Sequence, residues 1–218
     1  MSGLVITGRA VVLDPMEWVL TRSVYTRALP QLNFEGDEVA AKVASGFCDH
    51  VDLEGLDWGT VHVVMPPAQT RPLGNGLVIA VEGYTVRKLL DWGIRPRVVV
   101  TDFDFQPEHI LNCDCLVFGH AHGDNIGRFI EFAGKLRGRL VPTVQVWPRN
   151  CGLLLPGFTD GDRAVYLAYY MGARVINVYG FNKYVVVKRM DEVKRIKLDL
   201  AEAFIGRVLR KVRINFYP

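Results

Sequence analysis

The sequence predicts an α/β fold, with a doubly wound, mostly parallel six-stranded sheet of Rossmann-like type. From residue 60 onward, short apolar runs alternate with amphipathic segments, as expected for strands alternating with helices. The apolar runs are continuous and end in turn signals, which is typical of strands buried on both faces. At 218 residues, half of them hydrophobic, the chain is large enough to bury such a core.

The elements follow from these patterns. We predict six strands, at Val61–Met65, Leu77–Val81, Arg97–Thr101, Cys115–Gly119, Leu140–Trp147 and Arg174–Tyr179. Helical spacing of apolar residues and stop signals such as Gly93 before Pro96 predict the helices between them. These helices are Tyr84–Trp92, a short Pro107–Leu111, Ile126–Leu136, Asp162–Met171 and a long basic C-terminal helix, Glu192–Val212.

Residues 1–56 differ from the rest and predict a helical N-terminal portion that packs on an α/β domain, residues 57–218. Two segments, Met16–Ala28 and Gly36–Val51, are helix-like, and Asp14-Pro15 is a suitable cap and first-turn pair for the first of them.

Composition narrows the function classes. Residues 183–218 contain ten Lys and Arg and four Asp and Glu, so this basic tail either meets an anionic ligand or is the solvated face of a helix. No apolar run reaches the roughly 18–20 residues that span a bilayer, and residues 1–14 lack signal-peptide features. We expect a cytoplasmic protein that binds neither membrane nor nucleic acid, and a homo-oligomer is compatible with the sequence. The cysteines form no CxxC pair, so we expect buried thiols and no zinc site at Cys48, Cys113, Cys115 and Cys151.

The first candidate site follows the predicted strand Arg97–Thr101. Asp102 and Asp104 lie two residues apart and point to one side of an extended chain. Such a pair can hold Mg²⁺, which takes one or two carboxylates together with water and substrate phosphates. The simpler alternative is that one Asp only caps the turn.

The second candidate site follows the next predicted strand and reads HAHGDN. Imidazole, carboxylate and amide groups in one short turn can bind a polar heterocycle or orient a phosphate. The alternative is a capping turn with exposed histidines. The candidate residues are His120, His122, Gly123, Asp124 and Asn125.

A third candidate site is the turn GFTDGDR, which opens a helix. The free N–H groups of a helix start favour phosphate, although its acidic residues also explain simple capping. Its candidate residues are Thr159, Asp160, Asp162 and Arg163, and Gln145, a lone amide at the end of an apolar strand, joins them as a candidate substrate contact. The sequence has no P-loop and no G-x-S-x-G elbow, which excludes a P-loop NTPase and an α/β-hydrolase. It also has no G-x-G-x-x-G after its first strand, which argues against a dinucleotide-binding oxidoreductase.

The order of these motifs resembles the archaeal 6-hydroxymethyl-7,8-dihydropterin pyrophosphokinase family, whose architecture is similar to that of thiamine pyrophosphokinase. The matching segments are VVTDFD, HAHGDN, a strand ending in Gln, GFTDGDRA and the Lys-rich KRIKLDLAEAFI. The resemblance implies Mg²⁺-dependent transfer of a diphosphoryl group from ATP to the pterin CH₂OH, within methanopterin- or folate-type pterin biosynthesis. It implies catalytic roles for Asp102, Asp104, Asp124 and Asp160, with Mg²⁺ on the first two.

Three segments depart from the family pattern. They are Met65–Gln69 in place of a Gly-rich loop, Val81-Glu82-Gly83-Tyr84 in place of A-D-G-A, and Gly180-Phe181-Asn182 in place of G-M-D. These differences keep two alternatives open: a thiamine pyrophosphokinase-like enzyme with another hydroxymethyl heterocycle as acceptor, and a non-catalytic nucleotide- or pterin-binding protein.

Overall fold

The computed structural model describes residues 10–49, 51, 53, 55–187 and 189–218. In this part of the chain, nine strands form one sheet, and every strand pair in it is parallel. The strands are β1 Ala10–Val12, β2 Thr60–Val64, β3 Leu77–Val81, β4 Val98–Thr101, β5 Leu116–Ala121, β6 Leu140–Val144, β7 Gly152–Leu154, β8 Val175–Tyr179 and β9 Arg213–Tyr217. The α-helices are α1 Pro15–Ala28, α2 Asp37–Ala44, α3 Glu82–Asp91, α4 Glu108–Leu111, α5 Ile126–Ala133, α6 Asp160–Tyr170 and α7 Glu192–Leu209.

The sheet order is β1-β7-β6-β5-β4-β3-β2-β8-β9. From β2 the chain steps in one direction through β3 to β7, and it then returns to place β8 and β9 on the other side of β2. Because all strands are parallel, their carboxyl ends meet at one edge of the sheet, where open α/β sheets bind ligands.

Both faces of the sheet are covered by helices. Side chains alternate along each strand, so Val63 packs into a core with α1, α6 and α7, whereas Val64 packs into a second core with α2, α3 and α5. This arrangement explains the continuous apolar runs, because neither face of an inner strand meets water.

The predicted six strands correspond to β2–β6 and β8, but the count of six was wrong. β1 and β7 have only three residues each and pair with one another beside β6, so they lack the length that makes a periodic pattern visible. β9 was included in the predicted C-terminal helix. That helix ends at Leu209, and the alternating residues Arg213–Tyr217 pair with β8.

The N-terminal portion contains the two predicted helices. Asp14 caps α1, since its side chain accepts a hydrogen bond from Glu17 N at 3.0 Å, and Pro15 occupies the first turn. The second helix is shorter than predicted: α2 ends at Ala44 and a 3-10 turn, Ser45–Phe47, follows. Residues 1–9, 50, 52 and 54, which belong to the predicted N-terminal portion, lie outside the described residues, and the division at residue 56 stays a prediction.

The cysteines correct one expectation. Cys48 and Cys151 form a disulfide across 103 residues, with Cα atoms 6.4 Å apart, and Cys113 and Cys115 form a second one. The prediction of free thiols was therefore wrong, because the pairing of Cys48 with Cys151 depends on the fold and leaves no spacing signal.

Among the described residues, no helix is long and apolar enough to cross a membrane.

Candidate active site

A cavity of about 160 Å³ lies at the carboxyl edge of the sheet. Its walls come from the ends of β2, β3, β4 and β8, the start of α6, and the first turns of α7. The polar side chains that line it are Glu82, Asp102, Asp104, Thr159, Asp160, Asn182, Lys194 and Lys197.

Three carboxylates converge in this cavity. Glu82, Asp102 and Asp160 each place an oxygen within 4.8 Å of the others. Asp160 Oδ2 accepts a hydrogen bond from Asp102 N at 3.0 Å, and Glu82 Oε2 accepts one from Thr101 Oγ1 at 2.7 Å. The cluster therefore unites residues that follow β3 and β4 with the first residue of α6.

The backbone at Glu82 is shaped for this position. Glu82 has a φ of 69°, in the left-handed region that side chains rarely adopt. The next residue is Gly83, where any side chain would collide with the carbonyl of Gln106. The tight turn at the end of β3 thus brings Glu82 toward the cluster.

The carboxylates perturb one another. Burial, followed by the negative charges of Asp102 and Asp160, raises the pKa of Glu82. Burial and the charge of Asp102 raise the pKa of Asp160 to about 6. Burial also acts to raise the pKa of Asp102, but a hydrogen bond and the charge of His122 outweigh it and hold that pKa below its usual range. Three crowded carboxylates of this kind favour a bound cation.

Two lysines face the carboxylates. Lys194 and Lys197 lie on the first turns of α7 and line the same cavity. Of the two alternatives for the basic tail, an anionic ligand or a solvated helix face, the position of these two lysines fits the first. Burial lowers the pKa of Lys197, and its Nζ lies 5.5 Å from the ring centroid of Phe158.

A second cavity, of about 40 Å³, adjoins the first. Asp102, Phe158 and Lys197 line both cavities, so the two lie side by side, and we call them together the cleft. The other lining residues of the second cavity are Leu32, Asn33, Phe34, His122, Asp124, Gln145 and Arg163.

Some residues of the HAHGDN turn line the second cavity, and others hold the turn in place by hydrogen bonds. His122 and Asp124 line the second cavity. His120 is fully buried and hydrogen-bonds to Thr143 Oγ1 at 3.0 Å; burial and the nearby charges of Arg163 and His122 lower its pKa. Asn125 Nδ2 donates to the carbonyls of Asp102 and His120, both at 2.8 Å, and so fixes the turn.

In the GFTDGDR turn, too, some residues line a cavity and another holds the local structure in place. Thr159 and Asp160 line the larger cavity, and Arg163 lines the smaller one. Asp162 lies outside both linings. Its carboxylate accepts hydrogen bonds from Phe158 N at 2.8 Å and from Thr159 N and Oγ1 at 2.6 Å, which forms the capping box of α6.

Gln145 joins the N-terminal portion to the site. Its Nε2 donates to both carboxylate oxygens of Asp37 at 2.9 Å, and its Oε1 accepts from Arg163 Nη2 at 3.2 Å. Asp37 also accepts from Arg22 Nη1 at 3.0 Å and from Gly123 N at 2.9 Å. One buried carboxylate of α2 therefore connects two predicted site segments.

Sequence reasoning missed Asp37, and it noted Glu82 only as an acidic position in a segment that departs from the family pattern, not as a site residue. Glu82 follows a predicted strand directly, so the rule that drew attention to Asp102 applied to it too. Asp37 carries no such signal, because its contacts are with residues 86 and 108 positions away. The predicted metal pair of Asp102 and Asp104 stays a prediction; both residues line the larger cavity, where Asp104 N donates to Asp102 Oδ1 at 3.0 Å.

Comparison with known proteins points to one group. The chain is 31% identical over 224 residues to "6-hydroxymethyl-7,8-dihydropterin pyrophosphokinase" from Methanothermobacter thermautotrophicus. The alignment covers 88% of this chain and 95% of that protein. The Pyrococcus furiosus protein of the same name is 39% identical over 113 residues, 50% of this chain and 46% of that protein. The one from Methanocaldococcus jannaschii is 27% identical over 158 residues, 64% of this chain and 65% of that protein.

No profile of a known protein family matches the chain. The similarity to the Methanothermobacter protein nevertheless extends over 88% of this chain and 95% of that protein. The chain therefore belongs to the 6-hydroxymethyl-7,8-dihydropterin pyrophosphokinase family.

Proposed function

We propose that this protein catalyses the Mg²⁺-dependent transfer of the diphosphoryl group of ATP to the CH₂OH group of 6-hydroxymethyl-7,8-dihydropterin. The products are AMP and the pterin diphosphate, and the reaction serves methanopterin- or folate-type pterin biosynthesis. Family membership supports the pterin and the nucleotide as substrates. The observation that carries the proposal is the convergence of Glu82, Asp102 and Asp160 in a cavity that Lys194 and Lys197 also line.

The donor set fits Mg²⁺. The three groups are carboxylates, which this hard cation prefers. Asp160 Oδ1 is buried without a hydrogen-bond partner among the described residues, and Arg163 Nη1 lies 3.6 Å from it. Glu82, Asp102 and Asp160 would hold the ion, with Asp104 beside them. When bound, Mg²⁺ neutralises polyphosphate charge.

The chain's own residues bind and orient the reactants. Lys194 and Lys197 contact the phosphates, and the cleft holds the acceptor hydroxyl in line with the β-phosphorus. The hydroxyl oxygen bonds to this phosphorus, its proton passes to solvent, and AMP leaves with the bridging oxygen and its electron pair. This reaction needs positioning and charge stabilisation more than a strong base.

The departures from the family pattern motivate a second acceptor. Met65, Pro66, Glu82 and Asn182 all line the larger cavity, where the hydroxyl of an acceptor would meet the polyphosphate, so their identities affect which alcohol reacts. Glu82 keeps a carboxylate at its position, whereas the Asn182 side chain accepts hydrogen bonds from Tyr184 N and Val185 N. The second candidate is therefore another hydroxymethyl heterocycle, such as a thiamine-like alcohol, with the same donor.

The remaining proposals concern organisation. We propose that the helical N-terminal portion, residues 1–56, completes the site of the domain that spans residues 57–218, because Asp37 holds Gln145. A cytoplasmic location and a homo-oligomer stay predictions.

The test is to incubate the protein with ATP, Mg²⁺ and each acceptor in turn, and to measure AMP. We expect AMP formation with 6-hydroxymethyl-7,8-dihydropterin. AMP with a thiamine-like alcohol alone would favour the second candidate. Tight ligand binding without AMP from any acceptor would support the non-catalytic alternative.

A further inference from the structure

We propose that the two cavities separate the substrates: the smaller one binds the pterin ring and the larger one binds the nucleotide polyphosphate. This assignment rests on the proposed function and adds the location of each ligand. It makes the Leu32–Phe34 loop of the N-terminal portion a wall of the acceptor site.

The charges of the larger cavity suit a polyphosphate with its cation. It contains the carboxylate cluster and both Lys194 and Lys197. It also has the larger volume, about 160 Å³ against about 40 Å³, as the larger substrate requires.

The smaller cavity suits a flat, neutral heterocycle. Phe34 and Phe158 provide aromatic surface, and the exposed Asp124 can accept hydrogen bonds from the N–H groups of a pyrimidinone edge. The two Nη atoms of Arg163 already contact Gln145 Oε1 and Asp160 Oδ1 within the protein.

The wall of the smaller cavity is held in place before any ligand binds. Asn33 Nδ2 donates to Gly123 O at 3.2 Å, and a side chain at Gly123 would collide with the carbonyl of Asn33. Phe34 packs on Tyr25, with ring centroids 5.6 Å apart, and Tyr25 stacks on Phe158 at 4.5 Å. Such preorganisation favours binding of a rigid ring.

In this assignment the reaction takes place at the junction of the two cavities, where they share lining residues. Asp102, Phe158 and Lys197 line both of them. A CH₂OH group that projects from the smaller cavity reaches this junction, where it meets the β-phosphate of a nucleotide in the larger one.

The experiment measures the two affinities separately. Wild type and variants are titrated by calorimetry with 6-hydroxymethyl-7,8-dihydropterin, and independently with Mg²⁺ and α,β-methylene ATP, which cannot transfer the group. We expect Phe34→Ala to raise the Kd for the pterin about tenfold and to change the Kd for the nucleotide less than about twofold. Lys194→Ala should show the reverse pattern.

Two further variants provide a second test of the smaller cavity and a control. Asp124→Ala changes an exposed side chain and should also weaken pterin binding alone, even if Phe34→Ala fails to fold. Val24→Ala, on the exposed face of α1, should leave both affinities at the wild-type level.

Failure of the assignment differs from failure of the function. If the wild type forms AMP but the Phe34 and Asp124 variants keep its pterin affinity, or lose nucleotide affinity instead, the assignment is overturned. If the wild type forms no AMP and binds neither ligand, the proposed function itself is contradicted.

Discussion

Glu82 has an environment and a backbone conformation that lower the stability of the folded chain. It is a buried carboxylate beside two others, and its φ of 69° is unfavourable for a side chain. Strain of this kind costs about 1–3 kcal/mol and persists where the surrounding structure and the function require it. The turn around Gly83 and the hydrogen bond from Thr101 hold Glu82 in this conformation.

The same conflict gives a prediction for Asp160. Its pKa is raised from 3.8 to about 6, so the folded chain keeps a proton that the unfolded chain loses. The contribution of the protonated Asp160 to the free energy of unfolding is fully present below 3.8, its pKa in the unfolded chain. This contribution is lost as the pH rises through about 6. Without divalent metal, Asp160→Asn should therefore raise Tm at pH 8 and have a smaller effect at pH 4.5.

Thermal melts in EDTA at the two pH values measure this effect. The variant should also bind Mg²⁺ more weakly, which gives an independent sign that it is folded and altered at the cluster. A variant that melts below the wild type at pH 8 would contradict the prediction.

At the scale of elements, α2 links the N-terminal portion to the sheet edge through Asp37. This carboxylate is buried and accepts hydrogen bonds from Arg22, Gly123 and Gln145. Asp37→Ala should lower the free energy of unfolding by about 3 kcal/mol, because three donors lose their partner.

Urea denaturation measures this loss, and Glu38→Ala is the matched control. Glu38 is the next residue and forms only an exposed ion pair with Arg149, so its substitution should cost less than about 1 kcal/mol. Equal effects of the two substitutions would show that Asp37 has no special structural role.

The inner elements could be predicted because they are long and periodic. The apolar run before Asp102 and the amphipathic face of α5 are local signals, and the structure confirms both elements. β1 and β7 could not be found, since three residues contain too little pattern. β9 had a visible alternation, but the preceding helical pattern obscured it.

The site was predictable where it depends on chain order. Asp102 follows a strand and Asp160 begins a helix, so topology alone brings them to one edge. Which carboxylates share a cluster depends on the three-dimensional packing instead: Glu82 joins Asp102 and Asp160, while Asp162 caps α6.

At the scale of the whole molecule, the described residues form one parallel sheet between two helical layers, and a disulfide connects distant parts of the chain. Cys48 follows α2 and Cys151 precedes β7, so the bond closes a loop of about one hundred residues. Closing such a loop reduces the entropy of the unfolded chain far more than closing the short Cys113–Cys115 loop does.

This difference predicts unequal effects of removing the two disulfides. The double variant Cys48→Ser/Cys151→Ser should lose about 4–5 kcal/mol of unfolding free energy, and Cys113→Ser/Cys115→Ser about 1–2 kcal/mol. Denaturation of both variants and the oxidised wild type measures the difference. Similar losses in the two would contradict the loop-entropy explanation.

The central claim is that Glu82, Asp102 and Asp160 hold the cation that binds the ATP polyphosphate. The most direct measurement is the rate of AMP formation from ATP and 6-hydroxymethyl-7,8-dihydropterin across Mg²⁺ concentrations, for the wild type and for Asp102→Asn. The wild type should saturate with Mg²⁺ and stop in EDTA, while the folded variant should be slower by about a hundredfold or more. Wild-type turnover by Asp102→Asn, or full activity in EDTA, would contradict the claim.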